Sequence, residues 1–328
     1  MRNQPGATRF SNPLGGMSLR QFFQWLTRAA VAMIPLYFII AIVVTLVYAS
    51  GFQNFGWNFF STNWNPNPND PSVAAYGWFD FAVGSAITSA IALALAMVLS
   101  LGLAVCIVSF LPPFLSRIAA PVTDLLAGIP SVVYGIWGYV ILAPYFSKVI
   151  DPWMVGTFGF LPGFNATPTE YAGGVGLILA IFILTIMVVP ITTALVRDSL
   201  RSIPKELEEA GLALGATRWE TMRRVKIPFI RRSIFSAGLL GFGRAIGETV
   251  AVFMVIGNEV TLPTSIFSGS TTMATLLVSQ MDSAFTYPLL LKALVEIALV
   301  LMVISLSVNA IGLRLLGRKT VTGPGGIE

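Results

Sequence analysis

Long apolar runs separated by shorter polar stretches dominate this chain. Six of the runs contain about 20 predominantly apolar residues, the length that an α-helix needs to cross about 30 Å of hydrocarbon. They lie near residues 29–49, 82–109, 118–145, 172–196, 233–257 and 288–313. The pattern therefore predicts an all-α, polytopic membrane protein with six transmembrane helices.

The composition agrees with that pattern and excludes much chemistry. Of the 328 residues, 55% are hydrophobic and 11% are charged, whereas soluble domains carry about 25% charged residues. The chain has no histidine and one cysteine, Cys106. A histidine-based acid–base site, a His/Cys metal site and an internal disulfide are thereby excluded. We expect no catalytic residue and no metal in this chain.

Lysine and arginine are distributed unequally between alternate loops. One set of loops holds 17 of the 20 cationic residues, nine of them in the 197–232 loop. The opposite loops, at 50–81, 146–171 and 258–287, hold one, Lys148. Because cytoplasmic loops carry such an excess, both termini are expected in the cytoplasm. The net charge of +5 is small, and the lysines and arginines that orient the helices in the membrane are enough to explain it. No nucleic-acid partner is expected.

These boundaries divide the chain into three regions. We expect a cytoplasmic leader at 1–28, a transmembrane domain at 29–313 that includes the 197–232 loop, and a cytoplasmic tail at 314–328. The first outer loop, 50–81, is rich in aromatic residues. It is interpreted either as a belt of rings at the lipid headgroup level or as a docking surface for an extracytoplasmic partner.

The cytoplasmic loop predicts two short helices around a glycine turn. Gly215 suits a helix stop with positive φ, and Thr217 with Glu220 forms a T-x-x-E capping box for the second helix. Pro228 is expected to end that helix. The prediction is a compact helix–turn–helix that projects into the cytoplasm.

The same residues resemble the EAA loop of ABC importer permeases, in which E-A-A is followed by three residues, G, nine residues and I-x-L-P. The matching positions are Glu209, Ala210, Gly211, Gly215, Val225, Ile227 and Pro228. The third position is glycine here, and two aliphatic positions differ. In that family the first short helix docks in a cleft of a separate ATPase subunit. The alternative is an ordinary interfacial helical hairpin.

The chain lacks the elements needed to hydrolyse ATP itself. A P-loop requires a Gly-Lys-Ser/Thr terminus, and no Gly-Lys dipeptide occurs anywhere in the sequence. We therefore expect no cofactor on this chain. The EAA resemblance implies that ATP and Mg²⁺ bind to the partner ATPase.

Two charges are predicted at membrane depth in the fifth apolar run. Arg244 and Glu248 stand four residues apart, with Gly243 and Gly247 beside them. On one helix face the two side chains would neutralise each other. The pair is interpreted either as a structural ion pair or as an arginine on an anion path, with Glu248 as its counter-ion. An arginine suits a tetrahedral oxyanion because its planar fork offers two parallel donors.

The third apolar run is interrupted by Gly128, Pro130 and Ser131. Proline removes a backbone donor, and a break at membrane depth is tolerated only beside protein or a water-lined cavity. A helix that restarts after Pro130 would direct its amides toward an anion. A plain proline kink explains the sequence equally well.

Three segments resemble a permease subunit of the phosphate-specific ABC importers. They are the L-A-G-I-P-S-V-V-Y-G run at 126–135, the G-R-A-I-G-E-T run at 243–249 and Trp64-Asn65-Pro66. The resemblance implies a type I importer core in the inner membrane that passes phosphate inward. It also implies a homologous second permease, two ATPase subunits and an extracytoplasmic phosphate-binding protein. The alternatives are a permease for molybdate, tungstate or sulfate, and an autonomous ion-coupled carrier or channel.

Overall fold

The computed structural model describes residues 19–48, 56–66, 74–171 and 173–317. Its helices are α1 (Leu19–Tyr48), α2 (Phe79–Phe110), α3 (Pro113–Ala127), α4 (Ser131–Phe158), α5 (Leu177–Arg201), α6 (Lys205–Ala213), α7 (Arg218–Thr221), α8 (Arg231–Ile246), α9 (Val250–Val255), α10 (Met273–Ser279), α11 (Met281–Thr286) and α12 (Pro288–Gly317). Strands β1 (Trp64–Asn65) and β2 (Ala75–Tyr76) form an antiparallel hairpin, with Trp64 opposite Tyr76. The all-α prediction is confirmed, with this small hairpin as an addition.

Four of the described helices are long and apolar enough to cross a membrane, namely α2, α4, α5 and the Leu289–Leu315 part of α12. The chain is therefore a multi-pass membrane protein. Helix α1 has 30 residues, a length of about 45 Å, and it packs along α12. The predicted count of six spans and the cytoplasmic termini remain predictions. Residues 1–18 and 318–328, which hold most of the predicted leader and tail, lie outside the described residues.

The predicted bounds of the third span are wrong. The predicted interruption is confirmed as a break followed by a helix that restarts after Pro130, since α3 ends at Ala127 and α4 begins at Ser131, so 118–145 is not one span. Pro130 lies between them and has no N–H with which to continue α3. Helix α4 then extends to Phe158 through two wider π-helical turns, so that residues 146–158, predicted as an outer loop, are helical.

The fifth predicted span is also wrong, because 233–257 is not one continuous helix. Helix α8 ends at Ile246, and α9 begins at Val250. Within the intervening 247–249 break, the Thr249 hydroxyl donates to the Gly247 carbonyl at 3.1 Å. A local side-chain bond of this kind satisfies a carbonyl that the end of a helix leaves free.

Helix α5 is the centre of the bundle and contacts α2, α3 and α8. Small residues allow α2 to approach it closely, since Ala92 and Ala96 of α2 are fully buried. The Ser100 hydroxyl donates to the Val189 carbonyl at 3.1 Å and lies 2.5 Å from the Thr192 hydroxyl. Close packing and interhelical hydrogen bonds are what hold helices together in lipid, where apolar burial gives no advantage.

The N-terminus of α5 is completed by the loop that follows α9. The N–H groups of Gly176, Leu177 and Ile178 donate to carbonyls of Val255, Ser268 and Ile266 at 2.9, 3.2 and 2.8 Å. These groups have no partner within their own helix. The loop therefore satisfies the outer end of the central helix and fixes it to the end of α9.

The described part of the predicted first outer loop packs on the N-terminal ends of α2 and α12. Phe59 and Tyr76 are buried there with Phe81 and Leu294, and the Trp64 ring meets Phe81 edge-on with centroids 5.1 Å apart. Some of its aromatic rings thus belong to the protein interior. The docking interpretation of this loop stays a prediction.

Arg197 fixes the C-terminal end of α5 to α3. It is 5% exposed, and its guanidinium lies 3.1 Å from Asp124 and 3.3 Å from Asp198. A further guanidinium nitrogen donates to the Ala120 carbonyl at 3.2 Å. The planar fork of arginine satisfies all of these acceptors at once.

This cluster predicts a graded loss of stability. Arg197→Met should lower the free energy of unfolding of the full chain in detergent by about 1–3 kcal/mol, because the Ala120 carbonyl loses its donor. Asp124→Asn should cost about 1 kcal/mol or less, since Asp124 is half exposed and exposed pairs contribute little. Thermal unfolding of both variants measures the difference. Equal losses would contradict a central role for the guanidinium.

Candidate functional site

The 197–232 loop, which is predicted to be cytoplasmic and is called the cytoplasmic loop below, has the predicted local structure. Gly215 has φ +83° and ends the first short helix, α6. The Thr217 N–H donates to the Glu220 carboxylate at 2.9 Å, and the Glu220 N–H donates to the Thr217 hydroxyl at 3.2 Å. The backbone and hydroxyl bonds from Thr217 hold the pKa of Glu220 below its ordinary value. The carboxylate therefore stays charged at neutral pH, and the capping box is confirmed.

The second half of the loop is longer than predicted. Helix α7 continues through a π-helical turn at Met222–Lys226, and the chain turns at Ile230 rather than at Pro228. Proline is tolerated near the start of a new helical turn because its missing N–H has no partner there to lose. The prediction that Pro228 ends the helix is therefore wrong by two residues.

The loop is attached to the bundle by a separate apolar cluster. Met222 and Ile230 are buried against the ends of α2 and α5, with Val105 and Leu200 among their neighbours. Lys226 of the loop is 6% exposed and forms an ion pair with Glu208 of α6. Apolar contacts and this pair together hold α6 at a fixed position relative to the membrane helices.

The outer face of α6 is free in this chain. Glu209 and Ala210 are exposed, and Leu214 just beyond the helix is 89% exposed. Gly211 faces inward, where an added Cβ would lie 3.1 Å from the Thr221 hydroxyl. Of the remaining residues that match the EAA pattern, Val225 and Ile227 are partly buried and Pro228 is exposed. The loop presents a polar and aliphatic surface on the side that is predicted to be cytoplasmic.

Two helix breaks lie side by side within the bundle. Helix α9, which follows the 247–249 break, packs against the first turns of α4, which follow Pro130. A Cβ on Gly135 would lie 3.0 Å from the Cα of Ala251, so the glycine permits this close approach. The Tyr134 hydroxyl donates to the Leu126 carbonyl at 3.1 Å across the first break. Of the predicted site residues there, Gly128 and Pro130 are exposed and Ser131 is partly buried.

Arg244 and Glu248 do not form the predicted i,i+4 arrangement. Arg244 is in the last turn of α8, and Glu248 lies within the break, where its N–H donates to the Ala245 carbonyl. Among the described residues no ion pair joins the two side chains. The expectation of one helix face is wrong because the helix ends at Ile246, between the two charges.

Arg244 projects away from the packed side of α8. Gly243, Ala245 and Ile246 are buried, whereas Arg244 is exposed and Gly247 beside the break is exposed as well. Arg244 is 13 residues from the start of α8, about 20 Å along its axis. The structure therefore places a guanidinium on an open surface at an intermediate depth of the bundle.

Asn309 is a neighbour of this site that sequence reasoning missed. Its side chain occupies the space into which a Cβ of Gly243 would project, and it donates to Ser305 at 3.4 Å. Ser305 in turn lies 3.5 Å from the Gly243 carbonyl. The available signal was the spacing of Ser305 and Asn309, which are four residues apart in the mainly apolar run of α12 and therefore lie on one helix face.

Comparisons with known proteins agree on one family. Residues 96–320 match the family model described as "Binding-protein-dependent transport system inner membrane component". The chain belongs to this family. The match includes the cytoplasmic loop and both helix breaks, whereas α1 and the aromatic outer loop precede it.

Similar proteins are found in bacteria and archaea. A phosphate transport system permease protein PstC of Pasteurella multocida is 35% identical over 85% of this chain and 86% of its own. A probable phosphate transport system permease protein PstC of Methanocaldococcus jannaschii is 34% identical over 92% and 97%. Among solved structures, a bacterial ABC transporter for import of the polysaccharide alginate aligns with a TM-score of 0.57 at 17% identity, over 91% of this chain and 96% of its own. This last likeness shows the ABC permease fold.

The Gly215 turn of this inner membrane component predicts a selective mutational effect. Gly215→Val should destabilise the loop by about 1–3 kcal/mol, because a β-branched residue is strained at positive φ. No atom lies within 4 Å of an added Cβ, so a steric clash would not contribute. Hydrogen exchange of the amides of residues 205–221 should accelerate.

Gly215→Asn is the matched control, since asparagine tolerates the left-handed region. It fills the same empty space and should leave amide exchange nearly unchanged. If both variants accelerate exchange equally, backbone conformation is not the reason that glycine is needed.

Proposed function

We propose that this chain is the permease subunit of an inner-membrane ABC importer that passes inorganic phosphate inward. ATP hydrolysis on a separate ATPase subunit drives the step, and this chain is not itself an enzyme. The observation that carries the proposal is the exposed guanidinium of Arg244 beside the 247–249 break. The relatives named as phosphate transport permeases, similar over most of the chain, support the same substrate.

The position of Arg244 suits an anion path better than a packing role. A central arginine costs about 2.5–3.5 kcal/mol on insertion scales, so it faces a partner or a water-filled route. The packed residues of α8 leave Arg244 on the open side, where the second permease subunit would enclose an anion path. Its two parallel N–H donors match two oxygens of a tetrahedral oxyanion.

The neighbouring residues have supporting roles in this proposal. Glu248 in the break acts as the resting counter-ion, which keeps the anion from binding too tightly. Gly243 and Gly247 permit close approach of helices or ligand, and Gly247 is exposed at the break. Across from them, Gly128, Pro130 and Ser131 open the backbone where α4 begins, adjacent to α9.

The exposed outer face of α6 supports the proposal that an ATPase subunit docks on this chain. Glu209, Ala210 and Leu214 are exposed on a loop that the apolar cluster fixes to the bundle. We propose that two ATPase subunits, which bind ATP and Mg²⁺, dock on this chain and on a homologous second permease. An extracytoplasmic phosphate-binding protein supplies the substrate. The Gly215→Val variant should accordingly associate less with the ATPase than Gly215→Asn.

Two alternatives make different predictions. A permease for another oxyanion would keep the ATPase-docking loop and prefer molybdate, tungstate or sulfate over phosphate. An ion-coupled carrier or channel would use Glu248 as its proton site and would transport without ATP. Uptake of each radiolabelled anion by the reconstituted complex, with and without ATP, distinguishes them.

The Arg244 proposal predicts loss of transport without loss of assembly. Arg244→Gln should lower phosphate uptake per assembled complex by at least about tenfold, as expected when a charged hydrogen bond of about 1.5–3 kcal/mol is removed. Arg244→Lys should remain impaired because the charge is kept while the bidentate geometry is lost. Uptake is measured in proteoliposomes and normalised to complex abundance.

The control for this experiment is Arg231→Gln, the same change at an exposed position at the start of α8. It should leave uptake nearly normal. The Arg244→Gln/Glu248→Gln double variant tests the counter-ion role. If the two charges serve only to balance each other, neutralising both should restore assembly and uptake. Normal uptake by the doubly neutral protein would remove Arg244 from the path.

The orientation is tested by single cysteines in a Cys106→Ser background. Leu214→Cys, at an 89% exposed site of the cytoplasmic loop, should react with an impermeant thiol reagent only after the cells are opened. Thr62→Cys, in the exposed part of the first outer loop, should react in intact cells. Labelling of position 214 from outside would refute the positive-inside assignment.

A further inference from the structure

A cavity of about 390 Å³ lies between the docking helix α6 and the cytoplasmic ends of α2 and α5. Its polar lining includes four cationic side chains and one carboxylate. The lining residues are Arg201, Lys205, Arg218, Lys226, Glu208 and Ser109, together with aliphatic side chains of α2, α5 and α6. A pocket of this composition at the membrane surface matches no part of the transport path around Arg244.

The charges of this cavity are not balanced within the protein. Lys226 is neutralised by Glu208, the one carboxylate of the lining. In the part of the chain that the structure describes, Arg201, Lys205 and Arg218 have no carboxylate within ion-pair distance. All three side chains are exposed, so solvent screens part of their mutual repulsion, and an anion that binds between them would be attracted by all three.

A hydroxyl in the same lining also lacks a partner. The Ser109 oxygen is inaccessible to solvent and makes no hydrogen bond in this structure. Buried hydroxyls normally have a partner, and one without a partner requires an explanation. Rotation of the Ser109 side chain about its Cα–Cβ bond would bring this hydroxyl to an anion oxygen in the cavity, so the orphan hydroxyl is consistent with the ligand chemistry that the cations favour.

The cavity and the docking surface are on different faces of α6. Lys205, Glu208 and Leu212 line the cavity, and their spacing of three and four residues places them on one face of the helix. Glu209 and Ala210 are exposed on the other side. A ligand in the cavity would therefore bind behind the docking helix while its outer face remains accessible to an ATPase.

We propose that this cavity binds a phosphate group from the cytoplasmic side, carried by an anionic phospholipid or present as inorganic phosphate. The group would join Arg201 at the end of α5 to Lys205 and Arg218 of the loop. The aliphatic side chains of the lining suit the glycerol end of a lipid, and basic pockets at cytoplasmic helix ends are known to bind such headgroups. Binding would fix α6 relative to α5.

The test compares two charge-matched double variants of the full chain in nanodiscs. Arg201→Gln/Arg218→Gln removes two cavity cations, whereas Arg223→Gln/Arg232→Gln removes two exposed cations outside the cavity. One arm measures phosphatidylglycerol retained in native mass spectra. The other arm titrates inorganic phosphate calorimetrically in pure phosphatidylcholine discs, in an Arg244→Gln background so that the proposed transport path does not contribute.

The cavity variant should weaken binding by at least about tenfold in one arm, as expected from about 1 kcal/mol per basic residue at a membrane surface. The control pair should bind as the unaltered chain does. A loss in the lipid arm identifies a phospholipid as the ligand, and a loss in the titration identifies free phosphate. Ligand should also slow amide exchange of residues 205–221 except in the cavity variant.

Two results would overturn the proposal. Equal losses of binding in the cavity and control variants would mean that the cations attract anions by general electrostatics and not through a site in the cavity. Absence of measurable binding by the unaltered chain in both arms would leave the cavity without a phosphate ligand. Neither result bears on phosphate uptake through Arg244, which is measured separately.

Discussion

The structure depends on one constraint, which is that backbone polar groups in a membrane need partners within the protein. An unsatisfied group in hydrocarbon costs several kcal/mol, yet this chain breaks two helices within the bundle. Side chains and nearby amides compensate at both places: Tyr134 donates to Leu126, Thr249 donates to Gly247, and the Glu248 amide donates to Ala245. Because the breaks are internally satisfied, non-helical backbone can lie beside Arg244.

Features that depend on neighbours in sequence could be predicted from the sequence. The positive φ of Gly215 and the capping box of Thr217 and Glu220 are local, since each needs only residues within one turn. The apolar runs likewise identified α2, α5 and α12, because length and hydropathy alone decide whether a helix can cross lipid. The family resemblance rested on the same local spacing.

Features that depend on chain breaks and distant contacts could not be predicted. Apolar runs do not show where a helix ends inside the membrane, so α8 was predicted to continue through Glu248 and the charge pair was placed on one face. Arg197 was counted among loop cations, although α3 folds back to bring Asp124 beside it. The cavity behind α6 requires α2, α5 and α6 together, and its α2 residues are more than 90 positions from the rest of its lining.

Helix α8 directly connects the two regions to which the proposed function assigns roles, the 197–232 loop and the break beside Arg244. It begins at Arg231, one residue after Ile230, which is fully buried where the cytoplasmic loop joins the bundle. It ends at Ile246, two residues after Arg244 and immediately before the break. A 16-residue helix spans about 24 Å, and its backbone hydrogen bonds make it move as a unit. A displacement imposed on the loop by the proposed ATPase would therefore be transmitted along α8 to the break.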